Sequence, residues 1–456
     1  MRTRMVWGLA LLLLAALPAT AQTTQEEAPA EPARFLIETV TVEGPKEAVA
    51  NIVRAETLLR RGESYTEAEL RQAVYRVHRL PFVLDAGFAL RKGSRRGAYE
   101  LVIAVQPARW FFFDSWARAF AFEHPLDLRD ETFRGDRSSV WLGGVAGARL
   151  FVGRSGELFG AFDSRDGLQL GFTQYDLFHR GILASAGVSR ELCCVTEVLP
   201  LALDPTFASW SFASSRKVSL GLSVPLGGRQ SVQVALSDRR GQPESHRGVL
   251  EDTPDRVRQL FARSGELAYQ RAEAKWVYDT SDDPLLPTRG VSVSAGVEAA
   301  RFSSSGLREL ASTPPFEFQR IPAFHSEQVV AALSGIWHLS LSPRQTVSLM
   351  SRVFGGPSRL ENLSLRNRTV GQTSVNSYGG SVGLQHSVTL RRTRTAHDFA
   401  DLRLETGAEI GVEKTAPDLG PSPLKRFSAH TGLVFRNPWG RVRATLTYLN
   451  FGKVVP

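Results

Sequence analysis

The stretch Asp401–Glu413, DLRLETGAEIGVE, alternates charged and apolar residues along its whole length. The charged set is Asp401, Arg403, Glu405, Glu409 and Glu413, and the opposite set includes Leu402, Leu404, Ala408, Ile410 and Val412. A period of two indicates a β-strand, whose successive side chains point to opposite faces. The core of a soluble sandwich does not accept five charges on one strand, whereas the water-filled lumen of a membrane barrel does. The pattern therefore predicts lumen charges on one face and lipid contact on the other.

The same dyad pattern recurs through the chain after about residue 109. We predict about fifteen strands, at 109–122, 138–152, 157–163, 168–175, 181–190, 209–225, 230–240, 264–279, 290–302, 327–340, 345–354, 379–391, 400–413, 427–437 and 440–451. Long and short connections mostly alternate between them, as outer loops and periplasmic turns do in such barrels. The long ones are 241–263, 303–326 and 355–378. The fold class predicted is an all-β transmembrane barrel of about 15–16 antiparallel strands.

The N-terminus has the pattern of a secretory signal peptide. Arg2 and Arg4 precede an apolar run, and Ala19-Thr20-Ala21 offers a cleavage site. We therefore expect residues 1–21 to be a signal peptide and residues 22–33, which are polar and contain proline, to be a flexible leader.

A small α+β domain is predicted between the leader and the barrel, over residues 34–107. A strand at 35–43 ends at Gly44-Pro45, and apolar residues at helical spacing follow in Lys46–Arg60. Thr66 and Glu69 form the sequence signature of a capping box at the start of a second helix. Strands at 83–90 and 99–105 complete the order β-α-α-β-β, and the barrel takes residues 108–456.

Composition and motifs argue against several other functions. The formal charge is +9, but the basic residues are dispersed, so we expect no nucleic-acid partner. The two cysteines, Cys193 and Cys194, are adjacent, which excludes a disulfide framework, and no further ligands at zinc spacing accompany them. No GxSxG, HExxH, Walker A or CxxC motif is present. We expect no enzyme activity, cofactor or metal.

The N-terminal domain resembles a POTRA domain, the polypeptide-transport-associated module. The resemblance rests on IETVTVEG at 37–44, GESYTEAEL at 62–70, Leu80-Pro81-Phe82 and the alternating residues of the last strand.

Three barrel turns resemble those of the bacterial surface-antigen family, which comprises the BamA/TamA-type outer-membrane assembly factors. The first is YDTSDDPLLPTRG at 278–290, with Asp279, Asp282, Asp283, Pro284, Pro287, Thr288, Arg289 and Gly290. The second is DLFHRG at 176–181, with Phe178, Arg180 and Gly181. The third is NPWGRVR at 437–443, with Pro438 and Gly440. Fixed-φ prolines and local side-chain caps explain the first turn, and it lacks the glycine and distal glutamate of an EF-hand.

The chain departs from that family in three respects. The family's VRGF motif is absent from the loop that should carry it, where Arg352, Arg359, Arg366 and Arg368 stand in other contexts. One POTRA-like domain is present instead of several. A return strand after the third turn strand is missing, which leaves an odd count and predicts that the first and last strands meet in parallel.

The resemblance implies an outer-membrane protein whose N-terminal domain lies in the periplasm. It implies assembly or translocation of unfolded client polypeptides received through the POTRA-like domain, with outer-membrane lipid and periplasmic accessory proteins as further partners. The alternatives are a passive pore or a dedicated secretion channel without insertase activity, which the missing motif and missing POTRA copies favour, and a surface-exposed adhesion barrel, which rests on the long loops.

Overall fold

A computed structural model describes most of the chain. It covers residues 33–123, 138–163, 167–191, 195–198, 209–243, 267–283, 287–304, 308–310, 318–320, 324–360, 363–365, 368–370, 373–394, 399–414 and 424–453. The predicted signal peptide, the predicted leader up to residue 32, the cysteine pair and Pro284 lie outside these ranges. Within them, no helix is long and apolar enough to cross a membrane.

The first unit is a four-stranded sheet covered by two helices. Its elements are β1 (Arg34–Glu43), α1 (Glu47–Thr57), β2 (Ser64–Thr66), α2 (Glu67–His78), β3 (Val83–Lys92) and β4 (Ala98–Pro107). The strand order is β2-β1-β4-β3, with β1 and β4 parallel. The apolar faces of the helices close the core against the sheet, and Ile37, Ile52, Leu70, Phe82 and Leu101 are fully buried.

Local chemistry sets the helix ends. Glu69 N–H donates to the Thr66 hydroxyl and the Glu69 carboxylate accepts from Thr66 N–H, so the predicted capping box is confirmed. α1 ends at Thr57, three residues before the predicted end, because Leu58 takes a left-handed conformation with φ 56°. β2 is too short to show a period and was not predicted.

The second unit is a closed barrel. Its strands are β5 (Phe111–Glu123), β6 (Ser138–Val152), β7 (Gly156–Asp163), β8 (Gly167–Leu177), β9 (Ile182–Glu191), β11 (Ser209–Pro225), β12 (Gln230–Pro243), β13 (Leu267–Asp279), β14 (Gly290–Ser304), β17 (Phe324–Ser342), β18 (Gln345–Leu360), β21 (Thr373–Arg394), β22 (Phe399–Lys414), β23 (Leu424–Asn437) and β24 (Gly440–Lys453). The short strand β10 (Val195–Val198) pairs with the N-terminal part of β11, and β9 pairs with the part of β11 that follows. Two small hairpins, β15 (Arg308–Leu310) with β16 (Phe318–Arg320) and β19 (Leu363–Leu365) with β20 (Arg368–Val370), lie in the long connections.

The barrel fold is confirmed, and so is the predicted parallel contact between its first and last strands. Sixteen strands form one sheet; leaving out β10, fifteen close into a ring in which β24 pairs with β5 in parallel. All other neighbours in the ring are antiparallel, as a meander of odd strand number requires. β17, β18 and β21 extend several residues beyond their predicted limits into the long loops, because pairing continues there without an apolar period.

The outer wall is apolar and the buried side chains of the strands are largely polar. Leu220 is 53% exposed and Ile410 59%, whereas Ser215 and Arg239 are each 4% exposed. At the short-turn rim, Trp276 and Tyr278 stack with ring centroids 6.2 Å apart, and Trp337 is exposed on the same outward face. An apolar wall with aromatic side chains at its boundary is the surface pattern of a barrel that spans a bilayer.

Candidate functional site

The N-terminal domain packs directly onto the short turns of the barrel. The Phe82 ring, fully buried, meets Phe151 of β6 and Tyr175 of β8 edge to face, with centroids 4.8 Å and 5.4 Å away. Tyr175 is 2% exposed and belongs to the hydrophobic core of the domain. Aromatic rings prefer this geometry over a face-to-face sandwich. The domain and the barrel therefore share one core at this rim.

A buried ion pair adds a polar contact to the same interface. The Arg76 guanidinium lies 3.0 Å from the Glu56 carboxylate and donates to the Gly227 carbonyl in the β11–β12 turn at 3.1 Å. Burial raises the pKa of Glu56 to about 7, against the opposing effect of Arg76 and Arg79. Burial also lowers the pKa of Arg76, which Glu56 partly offsets. This pair joins α1, α2 and a barrel turn, and no period or motif in the sequence predicts it.

The first family-like turn folds around its aspartates. The Asp282 carboxylate accepts from the backbone N–H groups of Thr288 and Arg289 at 2.7 Å and 2.9 Å. The Asp279 carboxylate accepts from Ser281, whose hydroxyl lies 2.7 Å from the Tyr75 hydroxyl of α2.

The same turn ends in a tight backbone contact. Gly290 has φ +108°, and a Cβ there would lie 2.4 Å from the Thr280 carbonyl oxygen. Asp283 also has an interaction partner, and Pro287 precedes the capped Thr288. Among the described residues of this turn, Ser281 contacts the N-terminal domain through the Tyr75 hydroxyl.

The second family-like turn approaches α1. Phe178 and His179 both have positive φ, and the Phe178 side chain is 76% exposed. Gly181 N–H donates to the Asp176 carboxylate at 2.9 Å. A Cβ on Gly181 would lie 2.5 Å from the Leu58 side chain, so this glycine permits the close approach of the domain. Arg180 lies in the same turn, with its backbone N–H directed at the Leu177 carbonyl.

The third family-like turn lies at the seam between the first and last strands. The Asn437 side chain accepts from Trp439 and Gly440 N–H at 2.9 Å and 3.0 Å, and Pro438 offers its carbonyl to Arg109 N–H at 3.1 Å. A Cβ on Gly440 would lie 1.7 Å from the Phe113 carbonyl oxygen. Glycine is therefore required where β24 begins beside β5.

The seam itself is regular. β24 and β5 pair in unbroken register from Gly440 opposite Phe113 to Asn450 opposite Glu123. The Arg441 guanidinium forms an ion pair with Asp114 across it. Parallel pairing is slightly weaker per residue than antiparallel pairing. Of the barrel contacts, this one joins strands most distant in sequence.

The five charges singled out on β22 occupy different environments. Asp401 and Arg403 are 1% and 4% exposed, and the Asp401 carboxylate accepts from Arg403 and Arg392, both at 3.1 Å. Glu405 and Glu409 are half-buried, and Glu413 pairs through its backbone with Gly379. Their role as lumen charges stays a prediction.

The N-terminal sheet ends in the three-residue β2 on one side and in the longer β3 on the other, and β3 pairs only with β4 among the described strands. At Ala86 the His78 ring covers this edge, with Nε2 2.8 Å from Ala86 N and 2.7 Å from Ala86 O. Because every second residue of an antiparallel edge strand directs its backbone N–H and C=O away from its partner, Phe88 and Leu90 direct theirs outward as Ala86 does. The edge is therefore capped at one end and open toward Lys92.

No group of three or more histidine, cysteine, aspartate or glutamate side chains that could hold a metal ion occurs in the described part of the chain. The described polar groups at the domain–barrel interface lie on several different turns, where they form ion pairs and hydrogen bonds. The candidate site is thus an assembly of contact surfaces: the shared core, the seam and the open edge of β3.

No protein-family model and no curated protein matches this chain. Among solved structures, BamA from Haemophilus ducreyi lacking POTRA domains 1–3 aligns with a TM-score of 0.44 and 12% identity, over 92% of this chain and 81% of that one. CdiB from Acinetobacter baumannii aligns with a TM-score of 0.36 and 9% identity, over 87% and 70%. CdiB from Escherichia coli aligns with a TM-score of 0.33 and 12% identity, over 91% and 87%.

Proposed function

We propose that this protein is an outer-membrane barrel for protein assembly or translocation, whose POTRA-like N-terminal domain receives unfolded client polypeptides from the periplasm. The observation that carries the proposal is the open edge of β3 on a domain fixed to the barrel rim. An extended client can add to a free sheet edge through backbone hydrogen bonds, which tolerate varied sequences. The shared core around Phe82 would hold that edge at a constant place beside the barrel.

The seam supplies the second element of the proposal. The contact held at one rim by Asn437, Gly440 and the Arg441–Asp114 pair is parallel, and parallel pairing is slightly less stable per residue than the antiparallel pairing of the other junctions in the ring. Client strands would enter the wall there. The outer-membrane lipid surrounds the wall, and periplasmic accessory proteins would meet the N-terminal domain.

The edge is tested with proline at Leu90, in the full-length protein in micelles, using an unfolded outer-membrane protein as client. Leu90→Pro removes an outward N–H and blocks strand addition, so client-dependent protection of β3 from hydrogen exchange should be lost. Leu90→Ala controls for the lost packing and should retain protection. Equal protection in both variants would overturn the edge as the client site.

A passive pore is the second candidate, favoured by the unbroken register of the seam. Cysteines at Thr445 and Arg118, which are paired residues, test it. We expect partial disulfide formation that blocks insertion of clients into vesicles, with activity restored by reductant. Complete cross-linking without loss of insertion would favour a sealed pore.

A further inference from the structure

Three arginines stand side by side on the outward face of the barrel wall. Arg190 of β9 pairs with Arg216 of β11, and Arg216 pairs with Arg240 of β12. Residues directly opposite on antiparallel strands have Cβ atoms about 5 Å apart. The three side chains are exposed, and they share the face of Val188, Val218 and Leu236, which are 52%, 50% and 48% exposed. The three arginines form the arginine row.

Like charges placed directly opposite each other destabilise a sheet unless counter-charges are near. Asp238 forms an ion pair with Arg240 at 2.9 Å and also accepts from Gln270 at 3.0 Å. In the described part of the chain, neither Arg190 nor Arg216 has an ion-pair partner. Among the described residues, the arginine row therefore carries more positive charge than the neighbouring groups neutralise.

The height of the row places it at the edge of the apolar wall. Ten residue steps separate Arg240 from Gln230 at the short-turn rim. At ~3.3 Å per residue this is about 33 Å of strand, which a tilt of roughly 40° reduces to about 25 Å along the barrel axis. The apolar band of such barrels is also about 25 Å tall. The row thus lies where hydrocarbon gives way to headgroups, on the long-loop side.

An apolar groove of about 560 Å³ lies next to the row on the same outward face. Its lining includes Val218, Leu220, Leu236, Ala272, Ala299 and Val329, and Asp238, Gln270, Arg301 and Glu327 stand at its polar end, where Glu327 pairs with Arg301 at 3.9 Å. The alanines of β13 and β14 leave the depression, because the flanking strands carry larger side chains. A groove with an apolar floor beside a row of arginines fits an amphiphile whose chain runs down the wall.

We propose that the arginine row binds the phosphate headgroup of a membrane lipid in the leaflet on the long-loop side, with an acyl chain in the adjoining groove. Arginine forms charge-assisted, bidentate hydrogen bonds with phosphate, and basic clusters at this depth recognise anionic headgroups. The bound phosphate would relieve the repulsion among the three guanidinium groups. This inference rests on the barrel spanning a bilayer and is independent of client handling.

The test uses the full-length protein in micelles and short-chain phosphatidic acid as the probe. Arg190→Gln, Arg216→Gln and Arg240→Gln are combined; the matched control combines Arg154→Gln, Arg229→Gln and Arg344→Gln, all in short turns. Phosphatidic acid should raise the thermal unfolding midpoint of the wild type and the control, and bind the row variant about tenfold more weakly or worse. An equal rise in the row variant would overturn the proposal.

Three further arms complete the test. Inorganic phosphate and short-chain phosphatidylcholine at the same concentration should give little rise, and an equal rise with inorganic phosphate would overturn the lipid assignment. Single Arg216→Gln, expected to weaken binding in part, serves if the triple variant does not fold. Failure of every variant and the wild type to insert into phosphatidylcholine vesicles would contradict the membrane barrel itself, a result distinct from loss of lipid preference.

Discussion

The N-terminal domain and the barrel wall place the same kinds of residue in opposite environments. In the domain, Ile37, Phe82 and Leu101 are fully buried, whereas in the wall Ile410 is 59% exposed and Asp401 only 1%. A sheet with a helical cover hides its apolar face inside, while a closed wall turns that face outward to lipid. The domain buries its apolar residues away from water, whereas the barrel wall exposes them to lipid. The two units contact each other around Phe82.

The largest effect is expected from emptying that contact. Phe82→Ala removes a fully buried ring from the shared core, and such changes cost about 3–5 kcal/mol. The α1 amides of the full-length protein should therefore exchange their hydrogens faster than in the wild type. Phe162→Ala, at an outward ring 54% exposed, is the matched control and should leave α1 protection unchanged. Unchanged α1 exchange in Phe82→Ala would contradict a shared core.

The wall is tested by placing a charge on its outward face. Leu404→Arg should destabilise the barrel by about 2–4 kcal/mol near the midplane, because the charge enters hydrocarbon. The neighbouring Glu405→Arg, on the opposite face of β22, should cost less. Folding titrations in urea into vesicles measure both. A larger loss from Glu405→Arg would show that the register of this strand is inverted.

Much of the fold could be predicted from the alternation of apolar and polar residues along the strands. The dyad pattern of Asp401–Glu413 predicted a strand and its neighbours, because lipid on one side forces strict alternation over a long stretch. β2, β10 and the loop hairpins were missed, since three or four residues carry no period. The three turns were found by their residues, but Gly440 meeting Phe113 and Glu56 meeting Arg76 depend on contacts distant in sequence. The arginine row requires the register of three strands, which no single segment reveals.

A smaller effect is expected at the ion pair between the two units. Because the folded pKa of Glu56 is raised to about 7 from 4.5, the folded protein binds the proton more tightly than the unfolded chain. The contribution of the Glu56 carboxyl group to the free energy of unfolding is therefore fully present below about pH 4.5. It is lost as pH rises through 7, by up to roughly 3 kcal/mol. Glu56→Gln should flatten this dependence in α1 exchange measured across that range, and an unchanged slope would exclude Glu56 as its source.

The smallest effect is expected at the start of helix α2 in the N-terminal domain. Thr66→Ala removes the side-chain acceptor of the capping box and should cost about 1 kcal/mol. Thr66→Ser keeps the acceptor and should restore most of it. Thermal unfolding of the full-length protein, followed by helical circular dichroism, measures both. A serine variant as unstable as the alanine variant would point to the β2 pairing of Thr66 instead of its cap.

The parallel seam has a consequence for the direction of the chain. β5 and β24 both start at the rim that carries the N-terminal domain, so β24 arrives at the rim of the long loops when it reaches Lys453. A meander with an even number of strands would return to the rim where it began. A reporter inserted after Lys453 would therefore be displayed on the opposite side of the bilayer from one inserted ahead of Arg34.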